Sequence, residues 1–189
     1  MRNPIPVSGI LAAAVDVFSR LGYTAARVED ILESAGIARR TFYKRFKSKE
    51  EVLSAVYDVA TGELLRGVRE AGAGKGDRLT AIRSGLDVYL DYHIDNGPLV
   101  RVLVEQAMRS DSPLAGARKR FRQDLVRVMD EAVRAELGEE NDPMLYAALI
   151  SALEGISLEL LQKGGKKTEV ERARRVMHLL LDRVLAPAA

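Results

Sequence analysis

Between Arg39 and Lys49 the chain carries Arg39, Arg40, Lys44, Arg45, Lys47 and Lys49, with no acidic residue among them. Arginine presents a planar fork of donors, and lysine a compact ammonium. Both can bond guanine O6 and N7 in a DNA major groove or neutralise phosphate oxygens. Thr41 and Tyr43 add hydroxyls suited to phosphate, which fixes register rather than sequence. Phe42 and Phe46 stand four apart in the same run, so on a helix they share one side. Arg39, Arg40, Tyr43 and Lys44 then project elsewhere.

The neighbouring residues provide elements to hold such a surface. Apolar residues recur at three- and four-residue steps, and no stretch alternates with the period of a strand. The spacing predicts helices over about residues 8–21, 28–35 and 39–46. Ser48-Lys49-Glu50-Glu51 reads as a capping box opening a fourth. Gly36, between the second and third, supplies the positive φ of a helix-turn-helix corner that Ile37 can plug. Lys49, at the start of the fourth helix, adds a charge beside backbone N–H groups that can themselves bind phosphate. Further helices are expected near 78–95, 98–109, 113–137, 143–163 and 169–185. Pro98, Pro113 and Pro143 fall in first turns, Ser112 and Asp142 at N-caps, and Thr168-x-x-Glu171 as a second box. The fold class is therefore all-α.

The charge is uneven. Residues 1–50 hold nine Lys and Arg against five Asp and Glu, and the remaining 139 hold twenty against twenty-two. Positive charge is thus confined to the part expected to meet a polyanion. Cysteine is absent, which excludes disulfides and thiolate metal sites. No apolar run approaches the roughly 18 residues of a bilayer span. The start "MRNPIPVSGI" lacks a signal-peptide pattern, so a cytoplasmic protein with no membrane partner is expected. Gly72 to Asp77 is linker-like, and the tail 186–189 is expected to fray. The expected division is a DNA-binding domain over 1–50, a linking helix over about 49–71, and an effector and dimerisation domain over 72–189.

The stretch "ILAAAVDVFSRLGYTAARVEDILESAGIARRTFYKRFKSKEEVL", residues 10–53, resembles the tetracycline-repressor (TetR) family of dimeric transcriptional regulators. The resemblance rests on Phe-x-x-x-Gly-Tyr, on Val-x-x-Ile-x-x-x-Ala-Gly-Ile, and on Thr-Phe-Tyr-x-x-Phe-x-Ser-Lys-Glu. It implies a repressor acting as a homodimer on a palindromic operator. Departures are Ala26-Arg27 and Ala38 where relatives carry capping hydroxyls, Arg40 where Gly is usual, and Arg45 where His is usual. Arg27, Arg40 and Arg45 are expected to substitute charge-assisted contacts for the lost hydroxyls. Expected DNA contacts are Arg39, Arg40 and Lys44 to bases, with Arg27, Thr41, Tyr43, Arg45 and Lys49 to phosphates.

In the second domain, "MLYAALISALEGISLELL" and "VMHLLLDRVL" are apolar nearly all round, so each needs cover on two sides. One side suits the chain's own core. The other suits a second copy, packed as a four-helix bundle through Leu153, Ile156, Leu160, Val176, Met177, Leu180 and Val184. The resemblance also implies a small effector inside this domain, hydrophobic or aromatic in character. Its candidate lining is Tyr89, Tyr92, His93, Leu103, Met108, Phe121, Leu125, Met129, Tyr146, Leu149 and Glu154. The run Arg118 to Arg122, "RKRFR", reads as a solvated face.

No enzyme constellation is visible. His93 and His178 are the only histidines, so no metal site is expected. "GAGKGD" lacks the Ser or Thr of a phosphate-binding loop. No cofactor is expected. The rival reading is an all-helical ligand- or protein-binding module whose helix-turn-helix no longer binds DNA.

Overall fold

The computed structural model describes residues 9–73, 78–109, 111–137 and 142–185. The expected frayed tail and most of the linker-like stretch lie outside them. Among the described residues the elements are α1 (Gly9–Leu21), α2 (Val28–Ala35), α3 (Arg39–Tyr43), α4 (Lys49–Gly72), α5 (Arg78–Asp95), α6 (Gly97–Ala107), α7 (Ala115–Leu137), α8 (Pro143–Gln162) and α9 (Lys167–Leu185). No strand occurs among them.

They form two compact units. One holds the described residues of Met1–Glu63 with those of Asn96–Lys119, and the other those of Leu64–Asp95 and Arg120–Ala189. This grouping cuts across the expected boundary near residues 50–72, because α6 packs on α1. Leu99, Val100, Val102, Leu103 and Ala107 are all buried, more than one stripe of α6, and cover from the N-terminal helices is what such a helix requires.

In the first unit the core comprises Ile10, Leu11, Ala14, Val17 and Phe18 of α1, Ile31 of α2, Phe42 of α3, and Val52, Leu53 and Val56 of α4. The corner after α2 closes with Gly36 at φ 62°. There the Gly36 N–H reaches the Glu33 carbonyl and the Ile37 N–H the Leu32 carbonyl, the double bond of a Schellman turn. The α3 helix is shorter than expected. The α-helix ends at Tyr43, and beyond it the Phe42 carbonyl accepts from both the Arg45 N–H at 2.8 Å and the Phe46 N–H at 3.0 Å.

The second unit is organised around Tyr89, Leu90, Tyr146, Leu149, Leu153, Leu160, Met177 and Leu181. Helix α8 opens as expected, with the Asp142 carboxylate accepting from the Met144 N–H at 2.8 Å. Helix α9 does not. It starts at Lys167, so Thr168 lies inside it rather than capping it. Arg174 spans Asp87 and Asp91 at 2.6 and 2.5 Å, and Arg83 bonds Asp182 at 2.8 Å, fixing α9 against α5. Contrary to the run-length expectation, the 20-residue α8 is long and apolar enough to cross a membrane by length and composition, with a mean hydropathy of 1.6. One face of it is buried inside the chain through Tyr146, Leu149, Ile150, Leu153, Ser157 and Leu160, as in a core helix.

Candidate functional site

The expected DNA-contact residues gather on and beside α3. Arg39, Arg40, Thr41, Tyr43, Lys44 and Arg45 are all exposed, while Phe42 between them is fully buried and anchors the helix. Tyr43 stands edge-on to Phe42, with ring centroids 5.3 Å apart. The side chains of Arg40, Lys44 and Arg45 make no ion pair or hydrogen bond with the described residues, which leaves their charges available to a ligand. Arg39 differs. Its Nη2 is ion-paired to the Glu29 carboxylate in the first turn of α2.

Arg27 is the N-cap of α2 and lies exposed. The Asp30 carboxylate accepts from the Arg27 N–H at 2.7 Å, the half of a capping box that needs no hydroxyl. Arginine has no acceptor to return, so the side-chain half is missing. Ala38, the N-cap of α3, likewise makes no side-chain cap bond.

Lys49 does not sit with the free cations. Its ammonium donates to the Tyr23 carbonyl at 2.8 Å and the Ala26 carbonyl at 2.7 Å, and lies 4.3 Å from the Tyr23 ring centre. Tyr23 also donates its hydroxyl to Glu50 at 3.0 Å. Burial, and then the Glu50 carboxylate, raise the Tyr23 pKa above the ordinary phenol value. A backbone hydrogen bond, then Ser48 and Tyr23, hold Glu50 below the usual carboxylate range. The expected phosphate contact at Lys49 is thus a clamp from the first turn of α4 to the α1–α2 loop. Its engagement follows from two loop carbonyls that no helix satisfies.

The second unit contains a cavity of about 430 Å³, lined mainly by apolar groups of α4, α5, α7, α8 and α9. Of the expected effector residues, Tyr89, Leu125 and Met129 line it. The other eight do not. Tyr146 and Leu149 are core, with Tyr92 and Phe121 packed against that core. Leu103 is buried in the first unit, and Met108 is 60% exposed. His93 is buried, its Nδ1 2.8 Å from the Tyr89 carbonyl, and burial pushes its pKa down to about 4. Glu154 is ion-paired to Arg122, which also reaches Ser151 at 2.7 Å, so neither Glu154 nor this end of the basic run is a free solvated group. Arg69 and Glu131 are the charged residues in the cavity lining.

The expected interface residues divide. Leu153, Leu160 and Met177 are buried within the chain, and Leu153 lines the cavity. Ile156, Leu180 and Val184 are half-buried, and Val176 is 39% exposed. Exposed beside them are Met144, Ala148, Ala152 and Gly155 on α8 and Leu179 on α9. Burial thus falls on one stripe of each helix; opposite it α8 exposes mainly small and apolar residues, whereas α9 exposes Val176 and Leu179 among Arg172, Arg175 and Arg183.

The description "Bacterial regulatory proteins, tetR family" matches residues 10–56. Over this N-terminal stretch the chain is similar to the TetR family. Over 83 residues it is 32% identical to an HTH-type transcriptional activator, FasR, of Mycolicibacterium smegmatis, a match covering 44% of this chain and 38% of that protein. The chain therefore spans well under half the length of this curated relative. The fatty acid degradation regulator FadR of Bacillus halodurans superposes with a TM-score of 0.79 at 21% identity, over 92% of this chain and 93% of that one. FadR of Bacillus subtilis, solved in complex with stearoyl-CoA, gives 0.79 at 19% identity, over 96% and 98%. These structural likenesses establish a shared fold.

Sequence reasoning missed Glu29 and Tyr23, the partners of Arg39 and Lys49. Glu29 had a legible signal, an acid in a first turn ten residues before an arginine across a glycine corner. Tyr23 lies 26 residues from Lys49, too far for any local pattern to join them.

Proposed function

We propose that the chain is a sequence-specific DNA-binding transcriptional regulator that acts as a homodimer on a palindromic operator. The observation that carries this reading is the α2–α3 corner, which exposes Arg40, Lys44 and Arg45 uncompensated beside a buried Phe42. Two-fold symmetry suits the exposed small and apolar residues of α8 with Val176 and Leu179 of α9, and a dimer would present two such corners to successive major-groove faces. The regulator represses by covering a polymerase site, in the cytoplasm, without a membrane partner. The activator name borne by the mycobacterial relative gives the opposite sign as a second reading.

The effector reading is a long apolar chain. The cavity volume and its Tyr89, Leu125, Ile150 and Leu181 walls favour hydrocarbon. The stearoyl-CoA held by the Bacillus subtilis protein is of that class. Binding displaces the operator by shifting α4, whose Val68, Arg69 and Gly72 line the cavity.

Selection from random duplex DNA on the purified protein, with binding titrated at several salt concentrations, tests the reading. Enrichment of an imperfect palindrome is expected, with affinity at least a thousandfold above random DNA, released by a long-chain acyl thioester. A pool that stays random would favour instead a partner-binding module with a silent helix-turn-helix, the reading to which the uncapped Ala38 lends weight.

A further inference from the structure

Glu29 has no role in the fold's core. It is exposed on the first turn of α2, and its side chain reaches across the corner to Arg39 rather than into solvent. The two side chains are 57% and 63% exposed, so solvent screens the pair and it contributes little to stability. Its position matters more. The neighbouring cations Arg40 and Lys44 carry no such partner, so the surface neutralises one arginine selectively.

We propose that Glu29 is a specificity-setting residue that acts through Arg39, orienting the guanidinium for a guanine edge and withholding its charge from phosphates. This rests on the reading of α3 as a DNA surface. Glu29 stands on a helix anchored by the fully buried Ile31, so its carboxylate is a fixed post for a long, rotatable side chain. It engages Nη2, and the guanidinium has five N–H donors in all, so enough remain to bond O6 and N7 together. Random DNA offers no such edge in register and is held by phosphate charge alone. There the neutralised Arg39 adds little and the Glu29 carboxylate repels. The pair therefore weakens binding to random DNA while the operator keeps its bidentate contact. The ratio between the two is raised.

The test uses the full chain with Glu29→Gln, Arg39→Ala and the double variant. Each is measured on the selected operator and on random duplex, with unchanged thermal melting as the check on folding. Glu29→Gln is expected to bind random DNA about threefold to tenfold more tightly and to steepen the log–log salt slope by about one. The operator should gain less or lose, so the ratio falls. Repeated selection should relax the preference at one base pair per half-site, the same one that Arg39→Ala relaxes. In the Arg39→Ala background, Glu29→Gln should change neither the ratio nor that preference. An equal shift on both DNAs, or an effect that persists without Arg39, overturns the proposal and leaves Glu29 as plain repulsion. A wild-type protein that selects no operator overturns the DNA reading and this inference together.

Discussion

Side chains in this molecule are assigned by what satisfies them, and Lys49 is the clearest case. Two carbonyls of the α1–α2 loop and an aromatic face take up the whole ammonium. Replacement by Met keeps the stem and deletes the donors, leaving partly buried carbonyls unpaired at a cost of about 1–3 kcal/mol. Lys49→Met should therefore lower the melting temperature by several degrees and leave the salt slope of DNA binding unchanged. A slope reduced by one with no loss of stability would return Lys49 to the phosphates. His93 makes a second residue-scale prediction. Its folded pKa of about 4 lies below the ordinary 6.5, so between those values the unfolded chain binds more protons. The stability that the neutral ring contributes is fully present above pH 6.5 and is lost as pH falls through 4, by about 3 kcal/mol at most. Denaturant midpoints followed from pH 7 to 4 should fall for the wild type and fall less steeply for His93→Gln. Identical slopes would mean that carboxylates alone govern acid unfolding.

At the level of elements, the sequence was legible wherever one local rule decided the outcome. Gly36 is such a position: at φ 62° a side chain is strained even though nothing lies within 4 Å of where a Cβ would sit. Gly36→Ala should cost about 1–2 kcal/mol through backbone strain alone, and DNA affinity should fall only as far as the folded fraction does. A larger loss of affinity at full folding would show that the corner angle itself is read. The pattern of α8 was legible in the same way, through Asp142, Pro143 and an apolar period. The end of α3 was not, because Phe42 and Phe46 keep their aromatic contact at 5.9 Å even though the α-helix stops at Tyr43. A period of four in the sequence reports a shared face, not an unbroken helix. Cavity residues were the hardest to read. Tyr89 lines the cavity and Tyr146 does not, yet both are buried apolar positions on helices, and only the packing of several helices together separates them.

At the scale of the whole molecule, the proposed dimer needs a surface that a second copy would cover. Leu179 is 56% exposed and Val176 39% exposed on α9, beside the small exposed residues Ala148, Ala152 and Gly155 of α8. Small residues let helix backbones approach closely, and the neighbouring leucine and valine supply the apolar area that association needs. The same exposure makes Leu179 a clean probe. A charge placed there in an isolated chain meets water and changes stability by no more than about 0.5 kcal/mol. In a dimer it would be desolvated against its symmetry mate, with like charges facing each other and the penalty incurred twice. Leu179→Glu should therefore remain folded by circular dichroism but sediment as a monomer at concentrations where the wild type is dimeric. Operator affinity should then drop by a hundredfold or more, since two half-sites held by separate chains forfeit the gain of linked binding, about 10²–10⁴. Random DNA, which one corner can hold by charge alone, should lose far less. A variant that stays dimeric with full operator affinity would move the interface off this stripe, and α8 would then need another explanation for the apolar surface it leaves exposed.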